Sequence, residues 1–272
     1  AGRKKAGINV WFRHILFFVY PLAPALIVPA NIAGLSVYTV MKFQLPFLLL
    51  ALFVGYLFLL KDAKGSLSYE EPFSYKKLFV PLSVLLIPPI LDFSLQNIFS
   101  FGIEEFTTLI AISCSLLLVI YIADSRKKVL RESVEKMKPW NFALIILGIF
   151  IFINIFKSSG IGGLIASLSP SRITLSLGFG FFLGLVTGRI NLPASIIIPI
   201  FLATYALDSL PPLVFSLTYF AIFMGYVVSP IHPCVGLSLE YFDANTSDFL
   251  RIMIIPVAIL MSIAVVLFLL FV

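Results

Sequence analysis

The sequence predicts an all-α, polytopic membrane protein, and three observations support this fold class. Apolar residues make up 60% of the 272 residues and charged residues only 12%, whereas about 25% of the residues in soluble domains are charged. The mean hydropathy is +1.09. The apolar runs are continuous, as in residues 47–60 and 253–272, whereas a transmembrane β-barrel alternates apolar and polar residues.

Candidate membrane segments follow from the rule that a helix needs about 20 apolar residues to cross the hydrocarbon core. The first half of the chain has long segments, of which the first contains three prolines that predict kinks. The second half has shorter, interrupted segments, including one that we interpret as a re-entrant hairpin at residues 160–170. The predicted segments are residues 14–40, 43–60, 78–98, 106–123, 142–156, 160–168, 173–186, 194–207, 213–228 and a last helix from residue 249.

The basic residues indicate how the chain is oriented. The net charge is +6, and Lys and Arg are concentrated in residues 3–13, 61–77 and 126–138. Cytoplasmic loops of membrane proteins carry an excess of Lys and Arg, so we place these three segments in the cytoplasm of a multi-pass protein of the inner cell membrane. The lipid bilayer accounts for this charge pattern without a nucleic-acid partner. The most polar stretch, residues 124–140, is predicted to be a cytoplasmic basic linker.

Two breaks in the apolar second half carry the functional prediction. Backbone without helical hydrogen bonds is tolerated at membrane depth only where protein or a water-filled cavity surrounds it, and transporters place their sites at such breaks. In "LVTGRINLPAS", Gly188 permits a turn, while Thr187, Asn191 and Ser195 supply neutral ligand groups. We predict that these residues contact substrate or a sodium ion.

The second break is "SPIHPCVGLSLEYF", where two prolines interrupt an apolar run. Ser229, His232 and Ser238 are its candidate substrate- or ion-binding residues. Backbone amides at the start of a half-helix favour an anion, and carbonyls at the end of one favour a cation. An imidazole titrates near neutral pH, so His232 is also a candidate for proton coupling, with Glu240 as the second candidate.

Enzyme chemistry finds little support in the sequence. No HExxH, GxSxG or Walker A pattern occurs, and two histidines with two cysteines do not make a convincing zinc site. We therefore expect no enzyme activity, no metal site and no cofactor other than a coupling sodium ion. Two alternatives to a transporter stay open, namely an intramembrane enzyme that uses Cys234 and His232, and a structural membrane subunit.

Three stretches resemble one uncharacterised integral-membrane family, domain of unknown function four hundred and one. "INVWFRH" is similar to the family's Asn-Tyr-Trp-Phe-Arg-His, with Val10 in place of Tyr, and "FLGLVTGRINLPASIIIPIF" resembles its Gly-Leu-x-Thr-Gly segment. "SPIHPCVGLSLEYF" resembles its pattern Ser-Pro-x-His-x-Cys followed by Glu-Tyr-Phe. The matching residues of that last stretch are Ser229, Pro230, His232, Cys234, Glu240, Tyr241 and Phe242.

The resemblance implies membership of the ion-transporter superfamily, alongside arsenite, citrate and dicarboxylate carriers. Such carriers contain two inverted repeats, each with a re-entrant hairpin and a discontinuous helix, and are often homodimers. By this analogy, residues 1–123 are mainly scaffold-type helices, and residues 141–272 form the transport-type region with a re-entrant hairpin and two broken helices. The analogy also suggests an organic anion as substrate.

One set of site-type breaks is present in this sequence, whereas an inverted-repeat carrier builds its site from two. The chain also opens with Ala1 and a basic stretch rather than with Met. We therefore expect it to hold the second repeat and the end of the first. The missing first-repeat segment would come from preceding residues or a separate polypeptide, and the chain alone would show no transport.

Overall fold

A computed structural model confirms the all-α fold class. It describes residues 2–61, 63, 74–98, 104–122, 131–132, 134–135, 139–161, 164, 167–168 and 170–272, and every regular element within these ranges is a helix. By length and composition, four helical stretches of the described residues could cross a membrane: Val37–Leu60, Tyr75–Ile98, Pro212–Tyr241 and Thr246–Phe271. The third of these is interrupted between Val228 and Pro233. The chain is therefore a polytopic helical membrane protein.

The helices are numbered here in chain order. Short 3-10 or π-helical segments precede or follow some of them: Leu16–Phe18 after α1, Tyr56–Leu60 after α3 and Thr174–Phe179 before α7. The α-helices are α1 (Gly2–Ile15), α2 (Pro24–Ile32), α3 (Val37–Gly55), α4 (Tyr75–Ile98), α5 (Glu104–Ile122), α6 (Pro139–Ser158), α7 (Gly180–Thr187), α8 (Asn191–Thr204), α9 (Pro212–Val228), α10 (Pro233–Tyr241) and α11 (Thr246–Phe271).

The contacts divide the chain into two compact units. One unit comprises Ala1–Lys64 and Ile149–Val272, and the other comprises Gly65–Gly148. This division is based on which residues pack together. The predicted division into scaffold, linker and transport regions is based on the functional role of each region, and these roles stay a prediction. Most of the predicted linker at residues 124–140 lies outside the described residues, although Arg131 and Glu135 form an ion pair one helical turn apart at 2.7 Å.

In the smaller unit, a buried carboxylate joins α4 to α5. Asp92 is 2% exposed, and its two carboxylate oxygens accept hydrogen bonds from the hydroxyls of Thr107 at 2.7 Å and Thr108 at 3.1 Å and from the Gln96 amide at 3.2 Å. An ionisable group among apolar helices is costly unless it is hydrogen-bonded. These donors therefore explain how a buried Asp92 is accommodated between α4 and α5.

In the larger unit, α7 and α8 form a helical hairpin. The arms Thr174–Thr187 and Asn191–Thr204 are apolar, and the Tyr205 hydroxyl donates to the Pro170 carbonyl at 2.7 Å. The chain therefore enters and leaves the hairpin at the same end. Each arm is about 21 Å long at 1.5 Å per residue, which is shorter than the hydrocarbon thickness of about 30 Å. This length is typical of a re-entrant element.

This hairpin lies after the one predicted from the sequence. The predicted hairpin at residues 160–170 lies only partly within the described residues and stays a prediction. The hairpin that is described uses "TGRI" as its tip, because Gly188 has φ +58° and ends α7 before α8 starts at Asn191. The break at Gly188 is therefore the tip of a hairpin and not an interruption within one spanning helix.

Close packing of glycines fixes α7 against α9. A Cβ added at Gly184 would collide with the Ile222 carbonyl oxygen, and one added at Gly225 would collide with the Phe181 carbonyl oxygen. Gly180 lies one turn before Gly184 on the same face of α7, near Thr218 and Ala221. Small residues four apart allow such backbone contact between membrane helices. Because the contacts advance together along both helices, α7 and α9 run parallel.

The predicted first membrane segment, residues 14–40, is wrong as a single helix. Helix α1 ends at Ile15, a 3-10 turn follows, and α2 starts only at Pro24. Proline cannot donate a backbone hydrogen bond and fixes its own φ, so Pro21 and Pro24 mark the interruption. The side chain of Phe18 at this interruption packs against Tyr219 and Phe223 of α9.

We expect Gly184→Ala to destabilise the protein. Overpacking against backbone costs about 1–3 kcal/mol, which exceeds the gain of about 0.5–1 kcal/mol from replacing a helical glycine by alanine. Thermal unfolding followed by circular dichroism in detergent should show a lowered midpoint. Gly178→Ala is the matched control, because its nearest neighbour is the Thr174 Cγ2 at 3.8 Å. A lowered midpoint in Gly178→Ala as well would contradict this account.

Candidate functional site

The two breaks predicted from the sequence lie against each other. Helix α9 ends at Val228, residues Ser229 and His232 have extended backbone conformations, and α10 starts at Pro233. A Cβ added at Gly188 would lie 2.9 Å from the His232 backbone nitrogen and 3.1 Å from the Ser229 Oγ. The hairpin tip therefore packs directly on the gap between α9 and α10, where only glycine leaves room.

Ser229 links the two breaks by hydrogen bonds. Its hydroxyl donates to the Leu185 carbonyl at 2.6 Å and accepts from the Ile231 backbone N–H at 3.3 Å. The last carbonyls of a helix have no partner within that helix, so Ser229 satisfies one that α7 leaves free. Ser229 is fully buried.

A buried pair of histidines adjoins the break in α9–α10. The Nε2 atoms of His14 and His232 lie 3.1 Å apart, and the His14 Nδ1 lies 2.7 Å from the Val10 carbonyl oxygen. Because a carbonyl only accepts, the His14 Nδ1 must carry the hydrogen, which leaves the His14 Nε2 with a lone pair. His232 therefore donates from its Nε2 to the His14 Nε2.

The sequence of α1 explains why His14 is buried. Ala6, Val10, Trp11 and Ile15 are at most 1% exposed, and their spacing of four, one and four residues defines the face of α1 that packs on the core. His14 follows Val10 by four residues and lies on the same face. Asn9 is beside that face, and its amide donates to the Ser238 hydroxyl at 2.9 Å. Helix α1 thus lies antiparallel to α10.

Two further side chains surround the histidine pair. The Tyr226 ring lies 4.2 Å from the His232 ring and 5.8 Å from the His14 ring, measured between centroids. The Cys234 Sγ and one ligand atom of each histidine all lie within 4.8 Å of one another. Cys234 is half-buried and forms no disulfide. The site therefore combines two imidazoles and a free thiol in largely apolar surroundings.

The polar residues of the hairpin differ in how far their hydrogen bonds are satisfied. The Thr187 hydroxyl donates to the Leu183 carbonyl, and the Ser195 hydroxyl donates to the Leu192 carbonyl. The Thr187 hydroxyl also accepts from the Arg189 backbone N–H at 3.3 Å, and Ser195 is fully buried. The Asn191 Oδ1 is buried and has no hydrogen-bond partner within the described part of the chain, which makes it the least satisfied of the predicted ligands.

Glu240 and Ser238 lie farther along α10. Ser238 is buried, and its hydroxyl donates to the Cys234 carbonyl at 2.8 Å. Glu240 is exposed in the last turn of α10, about 12 Å along the axis from His232 at 1.5 Å per residue. The structure does not bring Glu240 to the histidine pair. The predicted proton-coupling roles of His232 and Glu240 stay predictions.

Sequence reasoning missed His14, Asn9 and Tyr226 as parts of the site. A signal for His14 was present, because the spacing Val10, Trp11 and His14 places it on the apolar face of a helix. No signal in the sequence indicated that this face would meet a residue more than 200 positions away. Asn9 and Tyr226 carried no signal of their own.

Comparison with known proteins gives one finding. The model of the family described as "Protein of unknown function (DUF401)" matches residues 1–272. No curated protein and no solved structure matches the chain.

We expect Gly188→Ala to destabilise the protein more than Gly160→Ala does. Both glycines have positive φ, of +58° and +71°, so both substitutions carry a backbone cost of about 1–2 kcal/mol. Of the two, Gly188 also packs closely, whereas no atom of the described residues lies within 4 Å of a Cβ at Gly160. The difference between the two thermal unfolding midpoints isolates the contact between hairpin tip and helix break. Equal shifts would argue against that contact.

Proposed function

We propose that this chain, which belongs to the DUF401 family of unknown function, is a secondary carrier or the C-terminal portion of one. It moves a small solute, an organic anion, across the inner cell membrane and couples the movement to sodium ions or protons. By this proposal it is a carrier of the ion-transporter superfamily. The residues that hold the solute and the coupling ion lie at the hairpin tip and at the break between α9 and α10.

The observation that carries this proposal is the contact between the Gly188 tip and the break at residues 229–232. Two interruptions of helical backbone meet inside a unit that also contains the long apolar helices α3 and α11. Irregular backbone at membrane depth is tolerated where it is enclosed by protein or lines a cavity. Secondary carriers use this arrangement at the membrane midplane to bind solutes and coupling ions.

The groups at the two breaks suit an anion and a cation together. Helices α8 and α10 both begin here, and their first backbone N–H groups favour negative charge. The Asn191 Oδ1 is a buried carbonyl oxygen without a partner among the described residues, and oxygen ligands suit sodium. An anion near the helix starts and a sodium ion near Asn191 would partly neutralise each other, which is the physical basis of coupled binding.

The first test of the proposal is thermal stabilisation by candidate solutes. We expect a carboxylate to raise the unfolding midpoint of the purified chain, since a ligand at 100 times its Kd adds about 2.7 kcal/mol to the folded state. Sodium chloride should raise the midpoint further than choline chloride of equal ionic strength. The screen should compare carboxylates, amino acids and inorganic anions.

Asn191→Ala should lose the sodium-dependent part of this stabilisation, because it removes the unpartnered oxygen. Asn154→Ala is the matched control, since Asn154 is exposed on α6 and its amide donates to the Phe150 carbonyl of its own helix. A sodium effect of the same size in Asn191→Ala and in the native chain would contradict the assignment of Asn191.

An intramembrane enzyme is the second candidate, and the position of Cys234 beside two imidazoles is the observation that favours it. A thiol next to a histidine is a common arrangement of nucleophile and base. If this function is correct, Cys234→Ala should abolish turnover of a lipid or peptide substrate. Cys114→Ala should retain it, because Cys114 is an exposed residue of α5. Turnover that persists in Cys234→Ala would exclude the role.

A further inference from the structure

We propose that His14, His232 and Cys234 form a binding site for a zinc-class transition metal ion. The three residues come from the end of α1, the gap after α9 and the first turn of α10. One ligand atom from each lies within 4.8 Å of those of the other two. This site does not depend on the transport function proposed above, and it revises the expectation that so few histidines and cysteines make no metal site.

The two imidazole nitrogens are already at the separation that a metal requires. Tetrahedral zinc with Zn–N bonds of 2.0–2.1 Å places two nitrogen ligands about 3.3 Å apart. The Nε2 atoms of His14 and His232 are 3.1 Å apart. A metal ion bonded to both atoms would lie to one side of the line between them. It would therefore replace the hydrogen bond once the two rings have turned so that their lone pairs converge on it.

The second ring nitrogen of His14 is held as in many metal sites. Histidine ligands commonly donate their other N–H to a carbonyl or carboxylate, which fixes the ring and its tautomer. The His14 Nδ1–H donates to the Val10 carbonyl at 2.7 Å. The His14 Nε2 lone pair is thus held in the direction of His232 by backbone within the same helix.

The thiol completes a ligand set that is selective for the metal. A nitrogen and a sulfur ligand on tetrahedral zinc are about 3.6 Å apart. The Cys234 Sγ lies within 4.8 Å of one ligand atom of each histidine, and rotation about its side-chain bond is the adjustment open to it. On binding, the thiol loses its proton to solvent, and the His232 proton moves from Nε2 to Nδ1. The oxidation state of the metal does not change. Two imidazoles and one thiolate favour zinc over magnesium or calcium.

The site is buried but accessible from one side. His14 and His232 are 6% and 5% exposed, so a bound ion is shielded from competing water. Cys234 is half-buried, and Ile231 and Pro233 beside it are exposed. The cluster therefore lies close to the surface of the chain at this side. Three protein ligands leave a fourth position for water or a solute.

Titration of the purified, tag-free chain with Zn²⁺ after chelator treatment tests the proposal. We expect about one equivalent to bind per chain in isothermal titration calorimetry. Co²⁺ in place of Zn²⁺ should give a thiolate-to-cobalt charge-transfer band in the near ultraviolet. His14→Gln and His232→Gln should weaken Zn²⁺ binding by at least about tenfold. Cys234→Ser should remove the charge-transfer band.

Cys114→Ser is the matched control and should bind both metals like the native chain. The thermal midpoint of each metal-free variant shows whether it is folded, and the cobalt spectrum of the native chain tests the thiol ligand without any variant. Absence of the charge-transfer band from the native spectrum would overturn the proposal. So would Zn²⁺ affinity that is unchanged in folded His14→Gln and His232→Gln.

Discussion

The packing of α7 on α9 is the constraint on which the rest of the larger unit depends. Gly184 and Gly225 bring the two backbones into contact, and the parallel direction of the helices keeps their positions in register. Membrane helices gain little from apolar burial against one another, because lipid is equally apolar, so close van der Waals contact is the main source of their association. The glycines make that contact in the last turn of each helix.

The register explains why two irregular segments lie together. One turn beyond Gly184, α7 ends at Gly188, and a few residues beyond Gly225, α9 ends at Val228. Each break leaves backbone groups without helical hydrogen bonds. Because the two breaks are adjacent, each one shields the free backbone groups of the other. Ser229 then satisfies the Leu185 carbonyl. The cost of interrupting two helices is reduced because the interruptions share one enclosed region.

The helical class and both breaks could be predicted from the sequence, because hydropathy and the positions of glycine and proline are local signals. The hairpin could not be recognised, since a turn at Gly188 looks the same whether the chain continues forward or reverses. Its reversal depends on α8 returning along α7, which is a tertiary property. The pairing of His14 with His232 spans 218 positions and likewise depends on packing. For the same reason Asn191 could be identified as polar, but not as buried without a partner.

The contacts around the breaks also differ in how firmly they hold. Helices α7 and α9 touch backbone to backbone, so sliding one past the other is opposed by steric overlap all along the contact. The polar contacts between α1 and α10 are two side-chain hydrogen bonds, Asn9 to Ser238 and His232 to His14. Each is worth only about 0.5–1.5 kcal/mol net, and the fully buried Val10 and Val235 add apolar packing from the two helices to the same core. A metal ion held by His14, His232 and Cys234 would replace one of these hydrogen bonds with coordinate bonds across the same face. It would thereby add coordinate bonds to the apolar packing that already joins α1 to the start of α10.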